Sequence, residues 1–389
     1  MSLKEEVKQH LEEKIIPFWK GLRDDDFGGY YGYMDFNLQV QKEYEKGCIL
    51  NSRILWFFSN AYTALGDTTL LEEANHAFCY MKNVFLDKTY GGVFWSVTYD
   101  GKVADSTKHT YNQAFAIYAL ASYYEASKDK SALDFAYQLF ERLETTCVDQ
   151  YGYLESFTQD WKPESNEKLS ENGLLADKTM NTHLHILEAY TQLYRVGKEN
   201  KVKKRLTEIL KIFKDRIYNQ EKVRLEVFFD EKFHTISELY SFGHDIEASW
   251  LLDYACDVIQ EKNIEKETKA YTTALAHALY KNALNSDGSM KNEKFKGIED
   301  QTRIWWVQAE AIVGFYNVYE KTFDEKYLVA VHKLWEYVKE NVVDKRQGAE
   351  WFWALDKEGE VIKALPIVEP WKCPYHNGRM CIEIMRRIL

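Results

Sequence analysis

Proline is scarce, at 5 in 389 residues, and no Pro-, Gly- or Ser-rich stretch interrupts the chain. With no linker in view, residues 1–389 read as a single domain. No apolar run approaches the roughly 18 residues of a membrane span, and the amphipathic, charged start from Met1 to Ile16 has no signal-peptide core. The six cysteines show no paired spacing and no CxxC, which is how free thiols are used in a reducing, cytoplasmic compartment. Surplus positive charge is missing too. A formal net charge of -11 argues against nucleic acid and anionic membranes as partners. Phosphate cradles of the GxxxxGKS/T or GxGxxG kind do not occur, and neither do HExxH or a cysteine cluster.

What the chain has in excess is aromatic residues, 15% of the total with 11 Trp and 27 Tyr. They suit sugar stacking or a large core equally well. Short Gly/aromatic strand signals begin near positions 28, 91, 152, 225, 287 and 348. Steps of 61 to 73 residues between them mark a repeat architecture. Each interval has room for two helices. The first of a pair is apolar nearly all round (Ile49 to Ala64, Phe115 to Tyr124, Ala309 to Tyr319), so it is buried on both sides. The second is striped and faces water (Leu70 to Leu86, Lys128 to Leu143, Lys201 to Ile217, Asp324 to Val342). Pairing an N-terminal helix, Lys4 to Lys20, with a C-terminal one, Gly378 to Ile388, would close the array. The expectation is all-α, an (α/α)6 barrel of six inner and six outer helices with short β-hairpins at one end.

Polar and aromatic groups gather near the start of each inner helix: Arg53; Tyr111 with Asn112; Asn181 with His185; His244 with Glu247; Trp305, Trp306 and Glu310; and His376. Repeats deliver these groups to equivalent places, so they should converge on one cavity. Burying them is costly unless they pair or bind something. His244 and Glu247 are three apart and share a helix face, so the carboxylate is expected to orient the imidazole. Each group also has a plainer reading. Arg53 would pair with Glu310 or Glu247, Asn181 would satisfy backbone, and His185 would be a core histidine. His183, His109 and Glu188 are taken as structural. Adjacent Trp305 and Trp306 cannot share a face, so one at most is expected in the cavity. No metal is expected, because His-x-x-Glu occurs without the second motif that a di-metal site needs.

The segments NSRILWFFSNAY, KHTYNQAFAIYAL, ADKTMNTHLHILEAY, SFGHDIEASWLLD, TRIWWVQAEAIVGF and WKCPYHNGRMCIE closely resemble the cellobiose 2-epimerase family of the N-acylglucosamine 2-epimerase superfamily. The resemblance covers essentially the whole chain; His183 and the stretch 164–172 lie outside the positions to which it assigns roles. It implies an isomerase that reversibly inverts C2 of the reducing-end glucose of β-1,4-linked disaccharides, turning cellobiose into 4-O-β-D-glucosyl-D-mannose and lactose into epilactose. It further implies His244 and His376 as the acid/base pair, His376 assisting ring opening, with Arg53 and His185 on the reacting oxygens and Glu247 supporting its histidine. Tyr111, Asn181, Trp305, Trp306, Glu310 and Trp371 are expected to hold the sugar. No cofactor is implied, and the enzyme is expected to act as a monomer. Four rivals remain: an aldose–ketose isomerase, the N-acylglucosamine 2-epimerase proper, a glycoside hydrolase using Glu247 and Glu310 as its carboxylates, and a non-enzymatic sugar-binding protein.

Overall fold

The computed structural model describes residues 1–169 and 174–388. Part of the stretch 164–172 therefore lies outside the described residues. Twelve helices occur among them: α1 (3–20), α2 (Cys48–Leu65), α3 (68–85), α4 (Thr110–Ser127), α5 (Lys130–Thr146), α6 (Met180–Gly197), α7 (200–217), α8 (Phe242–Ile259), α9 (Lys262–Asn282), α10 (Trp305–Thr322), α11 (325–342) and α12 (His376–Arg387). The even-numbered helices are buried along most of their length. Each packs on the next, and α12 packs back on α2, so six inner helices form a closed ring. The odd-numbered helices lie outside. First and last helices meet as the sequence pattern requires: α1 packs on α12, and Lys4 Nζ donates to the Ile388 carbonyl at 2.7 Å.

Local chemistry explains the repeat. Inner helices α2, α4, α6, α8 and α10 each end on one left-handed residue: Gly66, Lys128, Lys198, Gln260 or Phe323. The very next residue is acidic and stands at the N-cap of the following outer helix; Asp67, Asp129 and Asp324 accept there from the N–H two residues on, while Glu199 and Glu261 make no such bond. A left-handed stop followed by a carboxylate start turns the chain back in two residues.

At the other end the strands are two or three residues long. Lys46–Gly47, Lys108–His109, Lys178–Thr179, Leu239–Ser241 and Arg303–Ile304 each run straight into an inner helix. The Gly/aromatic signals are smaller than expected. Most are single bridges closing a tight turn after an outer helix, such as Leu86 with Val93 and Leu284 with Met290. Inner helices clamp these turns with side chains. Gln113 holds both backbone polar groups of Val93, at 2.8 Å each, and Gln308 holds those of Met290 likewise. Asn51, His183 and Asp245 accept the N–H of Tyr30, Tyr153 and Leu225. Buried lysines add a second tie, with Lys46 on Asp24, Lys108 on Asp87, Lys178 on Asp149 and Lys372 on Glu350.

Candidate active site

The expectation that every polar corner faces inward is half right. At the start of each inner helix one polar side chain turns outward to clamp a turn, and its neighbours turn inward. Asn112 belongs to the first kind, its amide donating to the Phe94 carbonyl at 2.9 Å. The inward set lines a cavity of about 400 Å³ that includes Arg53, Tyr111, Asn181, His185, His244 and His376. It lies at the strand end of the ring. Trp371 and Trp353 complete its wall, and Trp305 and Trp306 both line it, against the expectation of one. The two open α10 as its first residues.

His244 and His376 come from different helices and flank the same indole. The Trp306 ring lies 4.9 Å from His244 and 5.3 Å from His376, centroid to centroid. Gly243 makes room for it, since a Cβ there would stand 2.4 Å from the Trp306 ring. His376 Nδ1 lies 2.8 Å from Glu310 Oε1. Nδ1 is therefore the donor to that carboxylate, and Nε2 is left free to take a proton. His185 bonds Glu188 in the same way at 2.9 Å.

One expected pairing is corrected. Glu247 does not support His244, whose Nδ1 instead meets Ser241 Oγ at 2.7 Å. The spacing of three allowed the contact, but Glu247 is drawn to the Arg379 guanidinium on α12. Glu310, expected to touch sugar, stands behind His376, where Trp250 and Arg379 also donate to it. Glu188, taken as structural, joins the same buried group through Arg379, Tyr375 and His185. Arg379 binds all three carboxylates, and sequence reasoning did not single it out. The signal was present: a helical arginine three residues after His376 reaches the same face.

Arg53 follows neither ion-pair alternative. Its guanidinium lies over Phe115 at 4.2 Å and Tyr375 at 4.8 Å, and donates to the Tyr111 hydroxyl at 2.8 Å. No carboxylate among the described residues pairs with it, and its Nε has no partner. A buried, uncompensated cation on a cavity wall is costly and suits an anion that arrives from elsewhere. Among the described residues Asn181 Oδ1 and Trp305 Nε1 are likewise buried without partners, two polar atoms held ready for a polar guest.

Electrostatics keep the imidazoles neutral. Burial presses His244 down to about 3. His376 falls well below its ordinary value through burial and the nearby Arg379 and Arg53 charges. Burial works to raise Glu188, yet Arg379 and His185 prevail and hold it at about 2. Glu247 goes the other way, to about 8, through burial and the adjacent Glu310. Glu247, Glu310 and His376 offer atoms within 4.8 Å of one another, as a cation site would. The Arg379 guanidinium already supplies a fixed positive charge to both carboxylates there.

Helices in a closed ring around a polar cavity with two neutral imidazoles define a scaffold for acid–base chemistry on a small polar molecule. The model of the N-acylglucosamine 2-epimerase family matches residues 29–377. A cellobiose 2-epimerase of Ruminococcus albus is 49% identical over 382 residues, 98% of either chain, and one of Eubacterium cellulosolvens is 45% identical over 98% of either chain. The crystal structure of a sugar epimerase from a ruminal bacterium superposes with a TM-score of 0.98 at 48% identity, covering 100% of both chains. The chain belongs to the N-acylglucosamine 2-epimerase family of carbohydrate epimerases.

Proposed function

We propose that the chain is one (α/α)6-barrel domain that inverts C2 of the reducing-end glucose in β-1,4-linked disaccharides, cellobiose and lactose among them. One observation carries the reading. Two neutral imidazoles from separate helices flank one indole in a cavity whose only wall arginine, among the described residues, lacks a carboxylate partner. The names of the relatives support the disaccharide as substrate.

The chemistry follows from what C2 inversion demands. Only an aldehyde neighbour makes the C2 proton removable, so the pyranose ring opens first, with His376 Nε2 as the base at the anomeric hydroxyl. One imidazole then takes the C2 proton and the other returns a proton to the opposite face, each worth roughly 10²–10⁴-fold. Between these steps a cis-enediolate carries negative charge on oxygen. Arg53, with no carboxylate of its own, and His185 stabilise it; one such donor is worth about 3–4 kcal/mol. Tyr111 orients Arg53, Asn181 and Trp305 Nε1 hydrogen-bond hydroxyls, and Trp306 and Trp371 offer flat faces to the two rings. A hydrolase reading fits less well, because Glu247 and Glu310 stand together on Arg379 behind His376 instead of flanking a bond.

Incubation with cellobiose in D2O tests the proposal. Deuterium at C2 of a glucosyl-mannose product is expected. A ketose product without mannose-type signals, or free glucose, would refute it.

A further inference from the structure

The three buried carboxylates around Arg379 are not equivalent. Glu188 accepts from three donors: the Arg379 guanidinium, the Tyr375 hydroxyl and His185 Nδ1–H. Glu310 also accepts from three: Arg379, His376 Nδ1–H at 2.8 Å and Trp250 Nε1–H at 2.9 Å. Glu247 has one, the Arg379 N–H on its Oε1. Among the described residues its Oε2 is buried without a partner, and the residue lines the cavity.

Three acceptor bonds apiece satisfy two ionised carboxylates; a single bond does not satisfy a third. One guanidinium facing three carboxylates would also leave two negative charges uncompensated in a buried group. A proton on Glu247 removes one of them. It also explains the bare oxygen: Oε1 is the carbonyl that accepts from Arg379, and Oε2 is a hydroxyl whose hydrogen is left over for a guest in the cavity that the residue lines.

We propose that Glu247 is a neutral carboxylic acid that delivers its proton to the ring oxygen of the sugar during ring opening. This rests on the epimerase reading above and adds a second proton-transfer group to it. His376 Nε2 takes the anomeric hydroxyl proton, the C1–O5 bond breaks with its electron pair going to O5, and Glu247 Oε2–H protonates O5. The open sugar is then a neutral hydroxy-aldehyde, the imidazole is an imidazolium and Glu247 is a carboxylate. That imidazolium, already bonded to ionised Glu310, is the acid a later step requires. On ring closure O5–H returns its proton to Glu247, and an imidazolium protonates the aldehyde oxygen. The groups facing Glu247 are Arg379, Glu310 and Glu188, the Tyr111 and Tyr375 hydroxyls, and His376 Nδ1 at 3.9 Å from its Oε1.

The test compares cellobiose with its 5-deoxy reducing-end analogue. Lacking O5, and with O4 already substituted, that sugar closes no five- or six-membered ring, so no C1–O5 bond has to break. Glu247→Gln keeps the shape and a donor but transfers no proton. The variant is expected to lose about 10²-fold or more in kcat on cellobiose, and less than about threefold on the analogue. Equal losses on both sugars, or no loss on cellobiose, overturn the proposal. A wild-type protein that epimerises neither sugar overturns the functional reading and this one with it. A second measurement needs no variant: as pH rises past about 8, wild-type activity falls on cellobiose and holds on the analogue. Parallel profiles on the two sugars count against the acid role.

Discussion

At the scale of single residues, Arg53 separates function from stability most cleanly. It is buried, lies over two rings and, among the described residues, has no carboxylate partner. Such a cation contributes little to the fold and offers itself to a developing oxyanion. Arg53→Met keeps the stacked volume and removes the charge. The expected result is a fall of about 10²–10³ in kcat, with the thermal midpoint unchanged or raised. A lowered midpoint with kcat intact would mean that Arg53 is a packing residue. Spacing in the sequence located Arg53, His185, His244 and His376, because periodicity says which side chains share a place in the repeat. It did not say what each one touches. Glu247 sits three residues from His244 and yet bonds Arg379, more than a hundred positions away, because three carboxylates compete for one buried cation.

At the scale of elements, the short turns depend on side chains from the inner helices. Gln308 takes both the N–H and the carbonyl of Met290 in a buried setting. Gln308→Ala leaves that pair unsatisfied at a cost of about 1–3 kcal/mol. Chemical denaturation should record the loss, with KM and kcat changed little, since Gln308 faces away from the cavity. A kinetic defect without destabilisation would place Gln308 in the site instead. The six Gly/aromatic signals were legible as a period. Their reduction to single bridges was not, because a bridge of one residue pair leaves no alternating pattern to read. The buried lysines that precede several inner helices were also missed. A lysine beside a predicted strand reads as solvent-facing until the aspartate of the preceding turn is placed against it.

For the whole molecule, the buried titratable groups set a pH dependence with opposite arms. His10, His109 and His183 fall from 6.5 to about 4 and His244 to about 3, each through burial first. In the unfolded chain these histidines take up protons near 6.5, while the folded chain refuses them. Their contribution is therefore full above that value and is lost as pH falls below it, by up to about 1.4 kcal/mol per pH unit for each group. Glu155, Asp245 and Glu247 are raised to about 8, again by burial. These hold protons in the folded state that the unfolded chain has already released, so they lower stability as pH rises toward 8. Stability measured by denaturant midpoint should peak near pH 6.5 and decline on both sides. A midpoint flat from pH 5 to 8 would mean these groups are solvated.

Sequence by itself determined the period, the alternation of buried and striped helices, and the two chain ends that meet. Those follow from local pattern, since a helix must hide its apolar surface and a repeat must stack on its neighbour. Only the tertiary structure decided which polar corners turn inward, that both tryptophans reach the cavity, and that Glu188, Glu247 and Glu310 compete for one arginine. The physical reason is that hydrogen bonds and charges in a buried site are settled by distance in space. Residues brought there from separate helices stand 58 to 191 positions apart along the chain, where no spacing rule connects them.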